Sequence, residues 1–431
     1  MKEISMQKRV AIVDLARSPF AKSWTVLNGV DPISLSTQVT RELLFRNNLR
    51  PDFIEHIVWG TVIAIPHAPN IAREVALNLD MYKTPGFTIS RACASGLQSV
   101  ANICEMIWTG QIECGLAGGV DVTSNTPVPH RKDVIDSLKK LPKQDAMDKM
   151  KTLAMLNPKD LLPNPPDLTE RYTGKTMGLH AEEMAQYFCI SREEQENFSI
   201  ASHQKAHQAT QDGKIKEQII PIENRDLQSR VTEDNLIRSS MKKERLQKMR
   251  PVFDRRNGTI TAATSSALTD GASCVLLMSE EYAEKMGYTP LGYIRSFAFP
   301  ALDPRENMLL GNVYAAPVAL DRAGLKASDI GVWEIHEAFA AQVLSNLRCF
   351  DDQKFFEEKM GRAETLGQVD LQDVNLYGGS LAYGHPFAAT GGRLIMNLLM
   401  GLEERKSQFG LATACAAGGL GSAMVIEKNN N

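Results

Sequence analysis

The sequence carries a weak internal repeat, which constrains the fold more than any other feature. Residues 46–54 (RNNLRPDFI) and 322–330 (RAGLKASDI) share an arginine, a leucine and an isoleucine at the same spacing, and each leads into an apolar run that contains a tryptophan. Further along each half, a glycine-containing turn opens a helix, at 90–96 and at 378–386. The pattern predicts two similar halves around a central insertion.

Short apolar runs alternate with helix-length amphipathic stretches in both halves. This alternation is typical of an α/β fold with buried sheets. The strand-like runs are residues 9–14, 56–62, 115–120, 331–335 and 423–426. The expected architecture is therefore two α/β halves with mixed sheets, packed as layers.

The centre of the chain differs from the rest, because it is charged, rich in lysine and methionine, and interrupted by prolines. A helix is predicted after Ser191, since a serine there and Glu194 three residues later form a capping-box pattern. We interpret this region as a loop domain over the active face. The predicted domains are the first part of the N-terminal half (1–123), the loop domain (124–250), the rest of the N-terminal half (251–285) and the C-terminal half (286–431).

Composition argues against several classes of protein. The net charge of −3 gives no general basic field for nucleic acid. The seven cysteines form no Cys-x-x-Cys pair, which argues against a disulfide framework or a zinc site and favours the reducing cytoplasm. The N-terminus shows no signal-peptide core or transit segment, and no apolar run reaches the length of about 18 residues that spans a membrane. We expect a soluble enzyme.

Cys93 is the first candidate for a reactive residue. It follows a strand-like run, 87–90, and precedes a predicted helix with one apolar face. At a helix N-terminus, unpaired N–H groups and the helix dipole favour a thiolate. The alternative is a buried, small apolar residue, which is the common role of cysteine.

Two histidines and a second cysteine stand in similar places. His385 lies in the glycine-rich turn 378–386, whose glycines imply a close approach of the backbone to something. His336 ends a short apolar strand, and Cys415 lies in a glycine-rich loop whose N–H groups suit an acid/base thiol. Taken singly, each also has a structural interpretation, as a packing histidine or an inert thiol.

Together these residues resemble the motifs of the thiolase family. The similar segments are 90–98 (SRACASGLQ, nucleophile), 336–339 (HEAF, the Asn/His-Glu-Ala-Phe block), 378–386 (GGSLAYGHP, catalytic histidine) and 415–421 (CAAGGLG, second cysteine). Met177, 250–253 and Ser266 resemble the motifs on the CoA side. The match covers nearly the whole chain in order. It implies a thiolase-like fold of two duplicated βαβαβαββ halves with an inserted loop domain, and at least a homodimer.

The resemblance also implies roles at the reacting atoms. Cys93 would attack the 3-oxo carbon and carry the acyl group, while His385 takes its proton. Cys415 would exchange the α-proton of acetyl-CoA. His336, with His385 and a water, would stabilise one oxyanion, and the N–H groups of Cys93 and Ala417 would form a second oxyanion hole.

The same resemblance places Met177, Ser266 and Phe339 on the substrate side, where Met177 and Ser266 would line the pantetheine tunnel. No metal and no organic cofactor are expected, with coenzyme A entering as a substrate. Several positions depart from the common pattern, since His336 replaces an asparagine and alanines replace frequent glycines, for example at Ala388 and Ala417.

These departures make the chain look most like the thiolase (β) subunit of the bacterial fatty-acid oxidation trifunctional complex. The expected reaction is thiolytic cleavage of 3-oxoacyl-CoA in β-oxidation, and the expected partner is a hydratase/dehydrogenase α subunit. Three alternatives stay open: a biosynthetic acetoacetyl-CoA thiolase, a ketoacyl synthase, and a non-catalytic CoA-thioester or partner-binding scaffold. Synthases typically have a second histidine at the position of Cys415, which argues against them.

Three further segments have competing interpretations. Residues 131–160 carry eight basic and five acidic residues among apolar ones, so they either contact a membrane or partner subunit or cover the protein's own core. His203 and His207 are spaced for one helix face, and we favour a solvated face over zinc because further ligands are missing. Residues 115–120 lack the spacing of a nucleotide-phosphate loop.

Overall fold

The computed structural model describes residues 8–128, 132–156 and 169–429. In these ranges the strands are β1 (Val10–Arg17), β2 (Ala21–Lys22), β3 (His56–Gly60), β4 (Gly86–Ile89), β5 (Cys114–Val122), β6 (Ile222–Asn224), β7 (Ser229–Val231), β8 (Thr269–Ser279), β9 (Gly292–Ala298), β10 (Ile330–Ile335), β11 (Phe409–Ala416) and β12 (Leu420–Lys428). The helices are α1 (Pro32–Arg46), α2 (Ile71–Asn78), α3 (Ser95–Trp108), α4 (Lys132–Lys140), α5 (Ala146–Ala154), α6 (Met177–Tyr187), α7 (Arg192–Gln211), α8 (Lys243–Leu246), α9 (Glu280–Lys285), α10 (Gly311–Ala323), α11 (Ala340–Phe350), α12 (Gln353–Met360), α13 (Ser380–Tyr383) and α14 (Thr390–Arg405). Each of the five strand-like runs of the sequence overlaps a strand, although 9–14 begins one residue before β1 and 56–62 ends two residues after β3.

The two halves share one large mixed sheet. Its strands follow the order β10–β11–β12–β9–β1–β8–β5–β3–β4, and the short β2 pairs with β8. The halves meet where β1 pairs antiparallel with β9, through residues 10–12 and 292–294. Mixed sheets were expected from the sequence. In the structure, the sheets of the two halves are joined into one by the pairing of β1 with β9.

The strand pairings confirm the duplication. In the N-terminal half, β8 is antiparallel to both β1 and β5, and β3 is parallel to both β5 and β4. The C-terminal half repeats this pattern, because β12 is antiparallel to both β9 and β11, while β10 is parallel to β11 and to the bridge at Val374. The weak echo in the sequence therefore reflects two copies of one topology.

Helices cover both faces of the sheet in layers. On β1, Val10 and Ile12 pack in a central cluster with α3 and α14, while Ala11 and Val13 face an outer cluster with α1 and α2. This split follows from the strand geometry, since successive side chains point to opposite faces. The residues of β12 divide in the same way between the central cluster and an outer cluster with α10 and α11.

The two central helices, α3 and α14, touch through glycines near their N-termini. A Cβ atom on Gly391 would lie 2.5 Å from the backbone nitrogen of Leu97, and one on Gly96 would overlap the backbone at Ala388. Only glycine allows backbones this close. The contact matters for function, because the segments just before these two helices carry Cys93 and His385.

Helices α6 and α7, from the central part of the chain, pack against the C-terminal half. The predicted capping box at Ser191 and Glu194 is present, with the side chain of each accepting from the backbone N–H of the other. His203 is buried, and its Nδ1 accepts a hydrogen bond from the Arg238 N–H at 3.2 Å. The prediction of a solvated face is therefore wrong for His203, because the segment that covers it lies far away in sequence.

Helices α4 and α5 form a basic segment, residues 132–156, that keeps much of its apolar surface exposed. Val134 is buried, but Leu138, Met147, Met150, Leu153 and Met155 are exposed. Residue 131 and residues 157–160 of the stretch singled out in the sequence lie outside the described residues, as do residues 1–7. In the described part of the chain, no helix combines the length and apolar character needed to cross a membrane.

Candidate active site

The four candidate residues sit on segments that meet at one end of the sheet. Cys93 lies between β4 and α3, His336 directly follows β10, and Cys415 is the penultimate residue of β11. His385 lies between α13 and α14, and its N–H donates to the carbonyl of Ala267 at 3.0 Å. The His336 N–H donates to the carbonyl of Thr413 at 2.8 Å, which ties this loop to β11.

Three of these side chains converge on one point. The Cys93 Sγ and a ring nitrogen of each of His336 and His385 all lie within 4.8 Å of one another. The two imidazole centroids are 4.1 Å apart, and both Nε2 atoms are buried without a hydrogen-bond partner among the described residues. A thiol sulfur therefore lies close to two imidazole rings whose Nε2 atoms have no partner among the described residues.

Backbone N–H groups also point at the Cys93 sulfur. The N–H groups of Cys93 itself and of Ala417 lie near Sγ, and both act to lower the pKa of the thiol. Ala417 opens the tight loop between β11 and β12, where Gly418 and Gly419 adopt φ values of +81° and +69°. This left-handed backbone conformation favours glycine, and it turns the loop towards Cys93. The two donors are arranged as an oxyanion hole would need.

The turn that presents Cys93 is strained and held by hydrogen bonds. Ala92 has a φ of +45°, an unusual value for a residue with a side chain. The Ser95 hydroxyl donates to the Ala92 carbonyl at 2.7 Å and accepts from the Arg91 N–H at 2.8 Å. Strain of this kind persists where the surroundings over-determine it, which is common at functional sites.

The pKa of the Cys93 thiol favours its neutral form near pH 7. Burial, with a smaller contribution from Asp121, raises the pKa of this thiol to about 12, although the two N–H groups act in the opposite direction. The sequence argument predicted a thiolate, and it is wrong because α3 begins only at Ser95 and desolvation outweighs the helix terminus. Attack by Cys93 must therefore be coupled to loss of its proton.

His385 is an uncharged imidazole beside this thiol. Burial, helped by Arg393, lowers the pKa of His385 to about 3. Its Nδ1 is 2.7 Å from the Thr390 hydroxyl, which leaves Nε2 facing the site. Burial, His385 and Arg393 together hold the pKa of His336 well below its usual range. Both imidazoles are therefore uncharged at neutral pH.

Cys415 is a second buried thiol of the same site. Burial raises its pKa well above the usual range, and the neighbouring Cys93 raises it further. A protonated thiol next to the reacting atoms can donate a proton, and the thiolate left behind can take one back. The pair of thiols suits a reaction that needs one nucleophile and one proton carrier.

Comparison with known families decides the family. Residues 10–281 match the family description "Thiolase, N-terminal domain", and residues 288–428 match "Thiolase, C-terminal domain". The chain belongs to the thiolase family. Thiolases are acyltransferases, and the assignment agrees with the cysteine and histidine motifs that the sequence showed.

This thiolase aligns with similar proteins along almost its whole length. It is 46% identical over 422 residues to "3-ketoacyl-CoA thiolase" of Shewanella piezotolerans, covering 97% of each chain. The crystal structure of human mitochondrial 3-ketoacyl-CoA thiolase superposes with a TM-score of 0.84 at 28% identity, covering 98% of this chain and 99% of that one. The Bacillus anthracis acetyl-CoA acetyltransferase gives 0.83 at 28% identity, with the same coverage.

The residues predicted on the CoA side of this thiolase lie on adjoining segments. The Ser266 N–H donates to the carbonyl of Ala338 at 2.9 Å, next to Phe339. Phe339 stacks edge-on with Phe253 at 5.6 Å between ring centroids. Met177 opens α6 beside Gly178, where a Cβ atom would collide with the Phe253 ring. These contacts bring Met177, Ser266 and Phe339 to one side of the site.

Several supporting residues of the thiolase site were not singled out in the sequence. The Ser380 hydroxyl is 2.9 Å from the His336 Nδ1, and Arg393 donates to Ser380 at 3.1 Å. Arg393 also lies 3.7 Å from the Glu334 carboxylate, and both are fully buried. One signal for them was available, because a charged residue inside an apolar strand or helix indicates a buried partner.

A second buried acid, Glu337, fixes the segment that follows His336. Its carboxylate accepts from the Asn375 amide and from the Ser202 hydroxyl, each at 2.7 Å. It also accepts from the Leu381 N–H at 3.1 Å. The carboxylate thereby ties the β10 loop to α7 and to α13, and it holds the loops of His336 and His385 together.

Proposed function

We propose that this thiolase cleaves 3-ketoacyl-CoA with coenzyme A, giving acetyl-CoA and an acyl-CoA shortened by two carbons. The observation that carries the proposal is the convergence of Cys93 with His336 and His385 beside the second thiol, Cys415. The names of the relatives and the match over 97% of the chain support the same reaction. Its setting would be fatty-acid β-oxidation.

In the first half-reaction, the Cys93 sulfur bonds to C3 of the substrate while its proton passes to the His385 Nε2. The C2–C3 bond then breaks, and its electron pair forms the enolate of acetyl-CoA. Cys415 protonates C2 and is left as a thiolate. The products of this half are acetyl-CoA and an acyl thioester on Cys93, with His385 holding the proton.

In the second half-reaction, coenzyme A attacks the acyl carbon on Cys93. The Cys415 thiolate takes the proton of the CoA thiol, which restores its neutral form. The Cys93 sulfur leaves and recovers its proton from His385. Atoms and charges then balance over the cycle, and the free protein returns to two neutral thiols and two neutral imidazoles.

Two groups of donors would stabilise the oxygens that become negative. The N–H groups of Cys93 and Ala417 lie near Sγ, which supports a role for them in binding the oxygen of the carbon that Sγ attacks. The Nε2 of His336 is buried and has no partner within the described residues, which supports a role in binding the enolate oxygen. Neither group carries a charge, so the free protein has no strong tendency to bind anions at this site.

A cavity beside the site supports a substrate with an extended acyl chain. It encloses about 480 Å³ between Val62, Ile63, Leu268 and Phe387, among other residues. The Phe387 ring lies 5.1 Å from the His385 ring, so the cavity begins next to the reacting atoms. Apolar walls at this place would bury the tail of a fatty acyl group.

The test is thiolysis of 3-ketoacyl-CoA substrates from C4 to C16. We expect kcat/KM to rise with chain length in the wild type. An Ala64→Trp change, which fills the cavity, should lower kcat/KM for the long substrates and leave C4 nearly unchanged. A matched Ala363→Trp change on a remote surface should leave the whole profile unchanged.

Other outcomes of this assay would replace the proposal. Activity confined to C4 would identify an acetoacetyl-CoA enzyme, a reaction class that the fold alone admits, since the Bacillus anthracis acetyl-CoA acetyltransferase superposes as well. An absence of thiolysis with every substrate, in protein that still binds CoA, would indicate a non-catalytic binding scaffold.

The proposed assembly contains at least two copies of the chain. Strand β4 lies at one end of the sheet, and its residues are only partly buried. Free strand edges favour pairing with another chain. Light scattering on the purified protein should give twice the mass of the chain or a higher multiple, and a monomer at micromolar concentration would contradict the assembly.

The basic segment is the proposed contact with a hydratase/dehydrogenase α subunit. Exposed apolar residues such as Met147, Met150 and Met155 lie there beside exposed lysines, including Lys139 and Lys140. Exchanging Lys139, Lys140 and Lys143 for alanine should weaken co-elution with an α subunit, while Lys354→Ala should have no effect. Loss of binding to anionic liposomes instead would identify a membrane contact, and unchanged behaviour in both assays would exclude each role.

The proposed compartment is the cytoplasm of a bacterium. The proposed reaction needs Cys93 and Cys415 as thiols, and all seven cysteines of the chain are free. Oxidising compartments would convert neighbouring thiols to disulfides. Cell fractionation should recover the activity with cytoplasmic markers, and recovery from the periplasm would contradict the assignment.

A further inference from the structure

Arg393 and Ser380 form a short hydrogen-bond chain behind His336. The Arg393 Nη2 donates to the Ser380 Oγ at 3.1 Å, and the Ser380 Oγ lies 2.9 Å from the His336 Nδ1. All three side chains are fully buried. The chain begins at a group that can only donate, since a guanidinium has no acceptor.

The donation from Arg393 determines which of Ser380 and His336 donates the hydrogen bond between them. Arg393 occupies a lone pair of the Ser380 oxygen, so the hydroxyl proton of Ser380 must find an acceptor elsewhere. Among the described residues, the His336 Nδ1 is the one acceptor bonded to it. A buried hydroxyl proton without a partner destabilises the fold, which disfavours the opposite arrangement.

We infer that Arg393 acts through Ser380 to hold His336 as the neutral tautomer with its proton on Nε2. The inference deepens the proposed function and rests on it for its purpose. A proton on Nε2 makes His336 a permanent donor at the point where it meets Cys93 and His385. His336 then binds the substrate oxygen and is unable to act as the base.

The neighbouring His385 lacks this constraint. Its Nδ1 is 2.7 Å from the Thr390 hydroxyl, and no arginine in the described ranges bonds to that hydroxyl. Thr390 is therefore free to accept from Nδ1, which leaves the His385 Nε2 as an acceptor for the Cys93 proton. Arg393 thus makes His336 a hydrogen-bond donor while the adjacent His385 remains a base. We call Arg393 a positioning residue, because it touches neither the substrate nor the sulfur.

The charge of Arg393 acts in the same direction. Burial is the largest cause of the lowered pKa of His336, and His385 and Arg393 add to it. A second proton on Nδ1 would face both the Ser380 hydroxyl proton and the guanidinium. His336 consequently stays neutral while the proton moves between Cys93 and His385.

The test is nitrogen NMR of protein labelled with ¹⁵N-histidine. The chain has eight histidines, and the His336 signals are those missing from a His336→Asn protein. In the free wild type we expect His336 to show a protonated Nε2 and an unprotonated Nδ1. A protonated Nδ1 in the wild type, alone or together with Nε2, overturns the inference without any further variant.

Two variants test the chain itself. Ser380→Ala and Arg393→Met should each populate the tautomer with its proton on Nδ1. Each should lower kcat roughly 10-fold or more with little change in KM, the usual cost of losing a group that orients a histidine. Ser296→Ala is the matched control, because it removes a buried hydroxyl that bonds to the Ala319 carbonyl in an outer layer.

The outcomes separate the inference from the proposed function. If Arg393→Met does not fold, the wild type and Ser380→Ala still decide the question. An unchanged His336 tautomer in a folded Ser380→Ala protein would overturn the role of the chain. A wild type with the expected tautomer but no thiolysis would overturn the proposed function alone.

Discussion

The two halves of this thiolase share a strand pattern but differ at the positions that face the site. Asp121 and Cys415 are each the penultimate residue of a corresponding strand, β5 or β11, and each pairs with a glycine on the next strand. Thr61 and His336 each directly follow the strand beside it, β3 or β10. The N-terminal half thus has a threonine and an aspartate where the C-terminal half has a histidine and a thiol.

The difference shows a division of labour. Asp121 accepts backbone N–H groups from Val62 and Ile63 at 2.9 and 2.7 Å, and from Ala388 of the other half at 2.9 Å. Burial still raises its pKa to about 7. Asp121 therefore serves as a clamp between the halves. In the proposed mechanism, the N-terminal half holds and presents the nucleophile, and the C-terminal half supplies the groups that move protons.

The largest effect is expected at Cys415. A Cys415→Ser protein should lose roughly 10³-fold or more in thiolysis, because a hydroxyl is a much weaker acid than a thiol and exchanges the proton of C2 poorly. Transfer of the acetyl group from acetyl-CoA to Cys93 needs no proton at C2 and should persist. Deuterium exchange into acetyl-CoA, measured beside acetyl transfer, separates the two steps.

If the rates of deuterium exchange and of acetyl transfer fall equally, the proposed difference between the halves is contradicted. Cys415 would then support Cys93 instead of carrying a proton of its own. Ser422→Ala offers a control in the same strand pair, because its buried hydroxyl bonds to the Ala414 carbonyl at 2.9 Å and lies on the opposite face of the sheet from Cys415.

The second effect contrasts the residues that follow the equivalent strands. His336→Ala should lower kcat about 10²-fold, as expected when one oxyanion donor is lost. Thr61→Ala removes weak bonds of 3.2 Å to the Ile63 carbonyl and to Asp121, so it should cost about 1 kcal/mol of stability and little activity. Steady-state kinetics and thermal unfolding on both proteins check this, and similar kinetic losses would contradict the division.

The third effect is the pH dependence of alkylation. Because the pKa of the Cys93 thiol is raised to about 12, only a small fraction is thiolate near neutrality, and that fraction increases with pH. Iodoacetamide should therefore react with Cys93 roughly tenfold faster for each unit of pH from about 6 to 9. The rate is best measured in a Cys189→Ser background, which removes an exposed thiol. A plateau near pH 7 would show a thiolate in the free protein.

The smallest effect concerns the place where the halves touch. Gly391→Ala would put a Cβ atom 2.5 Å from the Leu97 nitrogen and should destabilise the protein by about 1–3 kcal/mol, with a lowered Tm. Gly401→Ala, on the same helix, would meet only the side chains of Val332 and Leu376, at 3.0 and 3.1 Å, and should cost less. A smaller loss at Gly391 than at Gly401 would contradict a tight contact between the central helices.

Much of the fold could be predicted from local patterns. The apolar runs at 56–62 and 331–335 mark equivalent strands, and the capping box at Ser191 marks the start of α7. The join between β1 and β9 could not be predicted, because three residue pairs from distant segments leave no local pattern. The placement of Met177, Ser266 and Phe339 around coenzyme A stays a prediction, as do the domain boundaries.

The site shows the same limit. The motifs around Cys93 and His385 could be found because glycines and short turns crowd there. Their protonation states could not be predicted, because these depend on burial by segments far away in sequence. The helix terminus alone indicated a lowered pKa for the Cys93 thiol, whereas burial raises it. The charge of Arg393 inside an apolar helix indicates a buried partner, but the sequence does not show that Ser380, thirteen positions away, is one of its partners.

The most direct test of the account is to find where the acyl group resides. The protein is mixed with a 3-ketoacyl-CoA in the absence of free coenzyme A, quenched in acid, digested and examined by mass spectrometry. We predict an acyl group on the peptide that contains Cys93, with one acetyl-CoA released for each acyl group, and none in a Cys93→Ala protein. An acyl group on Cys415, or product formed by the Cys93→Ala protein, would contradict the account.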